Sequence, residues 1–255
     1  MGEGTVYKDR MVLLVFVHGL LGFDAIRFPP FSIHYFRGLA EHLAGLQVPV
    51  LFPRLPAVGS VADRAAALAA HLASYTTRKI YIVAHSMGGL DSRYYIHHLD
   101  KGRQVRGLAT VGTPHRGTVL ASWFEENRSL LAGTARAICR PALLDLTPEA
   151  CERFNELVPD RPDVTYFSYA GSRPVEQMFL PNRRLARYVQ DRSGDNDGQV
   201  PVSSAAWGNS TKVLQADHFE LVGWNFGFRD RGSNRPFAYL SFYEQVIDTL
   251  LAFEI

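Results

Sequence analysis

The chain alternates short, mostly apolar, strand-like runs with longer stretches in which apolar residues return every three or four positions. The runs lie at Val12–Val17, Val48–Phe52, Ile80–Ala84, Val105–Val111, Val164–Tyr169 and Val213–Gln215, and each is predicted to be a strand. Between them, Ser32–Ala44, Ser60–Tyr75 and Leu90–Leu99 read as helices. The second contains Val61-Ala-Asp-Arg-Ala-Ala-Ala-Leu-Ala-Ala-His-Leu, which is rich in strong helix formers. A strand that is apolar along its whole length leaves no face for water. Such strands separated by helices predict an α/β fold with a mostly parallel sheet covered on both sides.

One region breaks the rhythm. Residues 118–160 are helix-like and hold no strand, where a simple crossover needs only about a dozen residues. An insertion over one end of the sheet is expected there, inside a single domain spanning 1–255. Trp123, Phe124, Leu130 and Leu131 would suit a lid, and an ordinary helical layer is the plainer alternative.

Composition narrows the function. With 47% hydrophobic and 20% charged residues among 255, the chain can bury a full core. Its net charge is only +2 and no Lys/Arg run exceeds two residues, which argues against nucleic acid as a partner. The longest apolar run, Met11–Val17, is far too short to cross a bilayer. Lys8 and Arg10 precede it as in a signal peptide, but His18-Gly19 stands where a cleavage site belongs. A cytoplasmic location follows by default, although a secreted mature form that had lost its leader would look the same. Cys139 and Cys151 are either a pair in an oxidising compartment or two buried thiols, and their spacing is not that of a metal finger.

The chemistry is expected at Ala84-His-Ser-Met-Gly-Gly89. A nucleophile elbow needs a strand, a sharp turn that lifts the serine hydroxyl above the sheet, and a helix that starts at once. The turn crowds the positions two residues to either side, and here those are Ala84 and Gly88. Ser86 is therefore the candidate nucleophile. In Val15-Phe-Val-His18-Gly19-Leu20, the strand ends so that the Leu20 N–H can join that of Met87 as an oxyanion hole. His18 is expected to brace that loop and not to act as the base.

The acid and base should follow the serine in that order. Asp197-Gly198 ahead of Val200-Pro201 suits an aspartate fixed in a tight turn, and Asp195 is the weaker candidate. His218 lies in a loop directly after the last strand-like run, which makes it the candidate base.

Taken together, "VFVHGLLGFD", "AHSMGGLDSRYY", "TVGTPHRGT", "DLTPEACERFN", "VTYFSYAG", "NDGQVPVSSA" and "ADHFELVG" resemble, in family order, the bacterial triacylglycerol lipases of the α/β-hydrolase superfamily. The resemblance implies an α/β-hydrolase fold with a helical lid after Thr113-Pro-His-Arg-Gly117. It implies Ser86, Asp197 and His218 as nucleophile, acid and base, with Leu20 and Met87 as oxyanion donors. A lipid or other ester substrate, met at a lipid–water interface, would be hydrolysed through an acyl-enzyme with no required cofactor. Some relatives hold a structural calcium near the histidine. Glu220 fits one ligand position, but Asn225 stands where relatives carry an aspartate. A carboxylesterase for short soluble esters uses the same machinery, as would an acyltransferase or thioesterase. A non-catalytic binding protein would need a missing triad member, and none is missing.

Overall fold

The computed structural model describes residues 11–22, 25–28, 31–226 and 236–252, with the backbone alone at 25–28, 31–33 and 131. Six strands form one sheet: β1 (Val12–Val17), β4 (Val50–Leu51), β5 (Lys79–His85), β6 (Val105–Val111), β7 (Thr165–Gly171) and β8 (Ser210–Leu214). Their order is β4-β1-β5-β6-β7-β8 and every pairing is parallel. All six expected strands are present, though only Val50–Leu51 of the second run pairs, at one edge. Because the pairs are parallel, all carboxyl ends open on one edge of the sheet, which is where α/β sheets bind ligands. Strand β5 lies inside the sheet between β1 and β6, with Val17 beside Ala84 and Val111 beside His85.

The inner strands β1, β5, β6 and β7 are buried on both faces, whereas at the two edges β4 is half-buried and β8 is exposed from Ser210 to Val213. Along β1, Leu14 and Phe16 pack with Phe36, Tyr243 and Val246, while Leu13, Val15 and Val17 pack with Leu68 and Leu72. The first face is covered by α9 (Tyr239–Ala252) and the second by α2 (Val61–Leu72). Helix α2 begins at a capping box in which Ser60 and Asp63 satisfy each other's backbone N–H.

The helix expected over Ser32–Ala44 is not formed as such. Residues 31–34 instead form β3 (Phe31–His34), antiparallel to β2 (Ala25–Phe28), and helix α1 is only Leu39–His42. Ser32-Ile33-His34-Tyr35 alternates polar and apolar, which is the strand period. Gly38 then takes a left-handed φ of 71° and breaks the chain direction before the helix starts. Helix α3 (Gly88–Tyr94) starts two residues earlier than expected and runs into a π-turn over Tyr95–Leu99.

The insertion folds as three helices: α4 (Val119–Glu126), α5 (Leu130–Asp145) and α6 (Pro148–Leu157). Thr118, Ser129 and Thr147 cap them in turn through their hydroxyls. Ala121, Ala142, Leu146 and Cys151 face inward onto Val61, Met87 and Leu90. Cys139 and Cys151 are both buried free thiols, and burial pushes Cys151 up to about 12. Past β7 come α7 (Arg183–Ser193) and α8 (Val202–Ala205).

Candidate active site

Ser86 follows the last residue of β5 and holds a left-handed φ of 55°, a conformation that costs a β-carbon residue about 1–3 kcal/mol. The surroundings enforce it. Ser86 N–H donates to Val111 O at 2.9 Å, and Thr113 Oγ1 donates to Ser86 O at 2.7 Å. A β-carbon on Gly88 would stand 2.8 Å from the carbonyl oxygens of both Val17 and His18, and one on Gly19 would stand 2.7 Å from Ser86 Cβ. That is why the join needs small residues: the oxyanion loop and the elbow touch backbone to backbone.

His218 reaches the serine from the opposite side. Its Nε2 lies 3.0 Å from Ser86 Oγ, and its Nδ1 lies 2.7 Å from Asp197 Oδ2. Asp197 is completely buried, and its other oxygen accepts the N–H groups of Gln199 (2.9 Å) and Val200 (2.7 Å). A carboxylate so held accepts from Nδ1–H, which leaves Nε2 free to accept the serine proton. Asp195, in contrast, is exposed and outside this chain of contacts.

His18 is engaged elsewhere. Its Nε2 accepts Leu55 N–H at 3.1 Å, so the ring proton sits on Nδ1 and is donated to Gly19 O at 2.9 Å. Leu20 lies in the loop between β1 and the first described residues of β2, and Met87 is the N-cap of α3. Among the described residues neither N–H is paired with a backbone carbonyl.

Two features escaped sequence reasoning. Tyr35 accepts Gly19 N–H at 3.2 Å and so directs its own hydrogen to His85 Nδ1, 2.7 Å away. Burial, and then the nearby His218, hold His85 well below the usual histidine range, while burial raises Tyr35. The His85 ring packs 4.5 Å from that of His218. The second feature is a buried pair, Arg64 and Asp91, beneath the oxyanion loop. The sequence did carry a signal for it. Arg64 falls on the same helical stripe as Val61, Leu68 and Leu72, which is the face that packs inward.

Glu220 does not present itself to a metal. Its carboxylate is gripped by Arg173, with Nε at 2.6 Å and Nη2 at 3.0 Å, and it also accepts Asp217 N–H at 2.8 Å. Calcium takes six or more oxygens, and a guanidinium in that place is incompatible with such a site. The arrangement instead ties the His218 loop down, since Arg173 Nη2 also donates to Gln215 O at 2.8 Å. Burial raises both Glu220 and Asp217 above the usual carboxylate range.

Above Ser86 and His218 lies a cavity of about 410 Å³. Leu20 and Leu21 line it on the oxyanion side, Leu120, Phe124, Leu143 and Leu146 from the insertion, and Phe219, Val222, Trp224 and Phe226 opposite. A serine–histidine–aspartate chain at the carboxyl edge of a parallel sheet, opening on an apolar cavity, defines the hydrolase class of α/β proteins. The chain belongs to the alpha/beta hydrolase family, whose family model matches residues 14–245. It is 26% identical to Triacylglycerol lipase 2 of Saccharomyces cerevisiae, over 96% of this chain and 92% of that one. It is 22% identical to a triacylglycerol lipase of Vibrio cholerae, over 83% and 78%. In fold it is similar to the Staphylococcus hyicus lipase, with TM-score 0.74 and 18% identity over 100% of this chain and 99% of that one. The mature Bacillus licheniformis lipase BlEst2 is similar at TM-score 0.69 and 24% identity, over 89% and 93%.

Proposed function

We propose that the protein hydrolyses carboxylic esters of lipids, as a triacylglycerol lipase does, through an acyl-enzyme on Ser86. The observation that carries this reading is the unbroken chain Ser86–His218–Asp197, at 3.0 and 2.7 Å, beneath an apolar cavity. His218 Nε2 takes the Ser86 proton as Oγ attacks the ester carbonyl. Asp197 keeps the proton on Nδ1 and stabilises the imidazolium that forms. The oxyanion rests on the Leu20 and Met87 N–H groups, and the imidazolium returns its proton to the leaving alcohol. Water then attacks the acyl group by the same steps and frees the fatty acid.

The mostly apolar lining of the cavity favours a long acyl chain over a short polar ester. The insertion over residues 118–160 serves as a lid within one domain. It covers the cavity with Phe124 and Leu143 and turns Leu130, which is 88% exposed, and Leu157, which is 71% exposed, to the outside. A lipid surface would match such apolar groups better than water does. Among the described residues, no helix is long and apolar enough to cross a membrane. Calcium has no part in the reaction, so a chelator should leave activity unchanged.

The test is Ser86→Ala, measured by turnover of a long-chain ester and by covalent labelling with a serine-directed phosphonate. Wild type should label and turn over, and the variant should do neither while melting as wild type does. A variant that still labels removes Ser86 from this role. Rates across esters of graded acyl length should hold beyond eight carbons, and collapse after butyrate would mean an esterase with a fixed helical layer.

A further inference from the structure

An N–H group stabilises an oxyanion only if it is already aimed at it when the charge forms. Met87 N–H is aimed by the start of α3. Leu20 belongs to no helix or strand, so something else must fix its peptide plane. In a planar trans peptide the N–H points opposite to the C=O of the same unit. The direction of Leu20 N–H is therefore set by whatever holds the carbonyl of Gly19.

Three donors hold it: His18 Nδ1 at 2.9 Å, Gly22 N–H at 3.1 Å and Arg64 Nη2 at 3.2 Å. The first two belong to the loop and move with it. Arg64 does not. The same Nη2 donates to His18 O at 2.7 Å, and Nη1 donates to Pro56 O. Its Nε donates at 2.8 Å to Asp91 Oδ2, on α3, the helix whose first turn presents Met87. One guanidinium thus connects two successive carbonyls of the oxyanion loop to the helix that carries the other donor.

We infer that Arg64, held by Asp91, is a positioning residue that sets the oxyanion hole by fixing the Gly19–Leu20 peptide. The inference rests on the ester-hydrolase reading above. A purely stabilising ion pair accounts for the geometry less well. Both side chains are 0% exposed, and Asp91 Oδ1 has no partner among the described residues. A buried pair left half-satisfied is poor as a source of stability, because an apolar pair of similar volume does as well or better.

The experiment uses the full chain with two variants, Arg64→Met/Asp91→Leu, which removes both charges together, and Arg64→Lys, which keeps the charge but loses the fork. Each is assayed for melting, for kcat and KM on a p-nitrophenyl ester, and for the inhibition constant of an aliphatic trifluoromethyl ketone. That ketone adds Ser86 Oγ to its carbonyl carbon, and the carbonyl oxygen becomes the oxyanion. The double variant should lose about 100-fold in kcat, the lower end of what losing one oxyanion donor costs. Its KM should stay within about threefold, and the ketone should weaken in proportion to kcat/KM. Arg64→Lys should show the same pattern at about tenfold, so the inference is tested even if the double variant fails to fold. Unchanged kcat, a loss carried by KM, or full ketone affinity despite lost kcat would each overturn the inference. Wild type that neither binds the ketone nor reacts with a phosphonate would overturn the ester-hydrolase reading itself.

Discussion

The elbow and the insertion are both needed to enclose the cavity, yet they are held in different ways. Around Ser86 the contacts run from backbone to backbone: β1, β5 and β6 in register, Ser86 N–H on Val111 O, and Gly88 under the carbonyls of Val17 and His18. The insertion is tied by side chains at separate points. Asp145 accepts Val61 N–H at 2.7 Å, Asn155 donates to His115 O at 2.9 Å, and Thr118 Oγ1 donates to Gln199 O at 2.6 Å. Between those points α5 leaves Leu130 and Ile138 in water. The turn that carries Ser86 is thus fixed mainly through the main chain, whereas the insertion is held to the sheet at a few side-chain contacts.

The largest effect that probes this contrast is at the acid. Asp197→Asn should lower kcat by roughly ten-thousand-fold, because the amide favours the wrong histidine tautomer, while Asp195→Asn should pass almost unnoticed. Steady-state turnover of both variants checks it, and the reverse order would mean the wrong carboxylate. Next comes one substitution made in each region. Gly88→Ala forces a methyl against two carbonyl oxygens and should cost about 1–3 kcal/mol by denaturant unfolding. Gly133→Ala on α5, where the nearest atom is Arg136 Nη2 at 4.0 Å, should instead stabilise by about 0.5–1 kcal/mol. If both shift the same way, the two regions are equally tight.

A third comparison uses pH. Burial pushes Asp91 up to about 7, against the attraction of Arg64. An acid raised above its unfolded value gives stability that is complete below about pH 4 and lost as pH rises through 7. Asp91→Asn should therefore flatten the fall of unfolding free energy between about pH 4 and 7, by up to about 1.4 kcal/mol per pH unit. An unaltered slope would mean that Asp91 stays ionised throughout. The smallest effect is expected on the outside of the insertion. Leu130→Ser should leave a soluble short ester within about twofold and lower only the rate on emulsified triglyceride. Equal losses on both substrates would argue against a lid.

Much of this was legible in the sequence. Mostly apolar runs alternating with helices predict a covered parallel sheet, and the six strands are present, although β8 is exposed from Ser210 to Val213. Ala84, Ser86 and Gly88 were readable because a sharp turn permits few residues. The antiparallel pair β2–β3 was missed because alternation over four residues is too short to outvote neighbouring helix formers. Arg64 and Asp91 were passed over for a different reason. Charges are read as surface unless something says otherwise; the stripe position of Arg64 pointed inward, but the carbonyls that it meets belong to a loop more than forty residues away. Arg173 hid in the same manner, and it holds Glu220, the residue that the family resemblance placed at one calcium-ligand position.

The buried guanidinium also bears on how such a protein would respond to selection. Removing two charges from the interior and filling the space with apolar side chains is commonly neutral or stabilising by about 1–4 kcal/mol. A population screened only for heat tolerance would thus drift toward discarding Arg64 and Asp91 together. The survivors would be sturdier and slower. One screened for turnover would keep the pair and gather its stability elsewhere, at helix positions with room for a side chain such as Gly133.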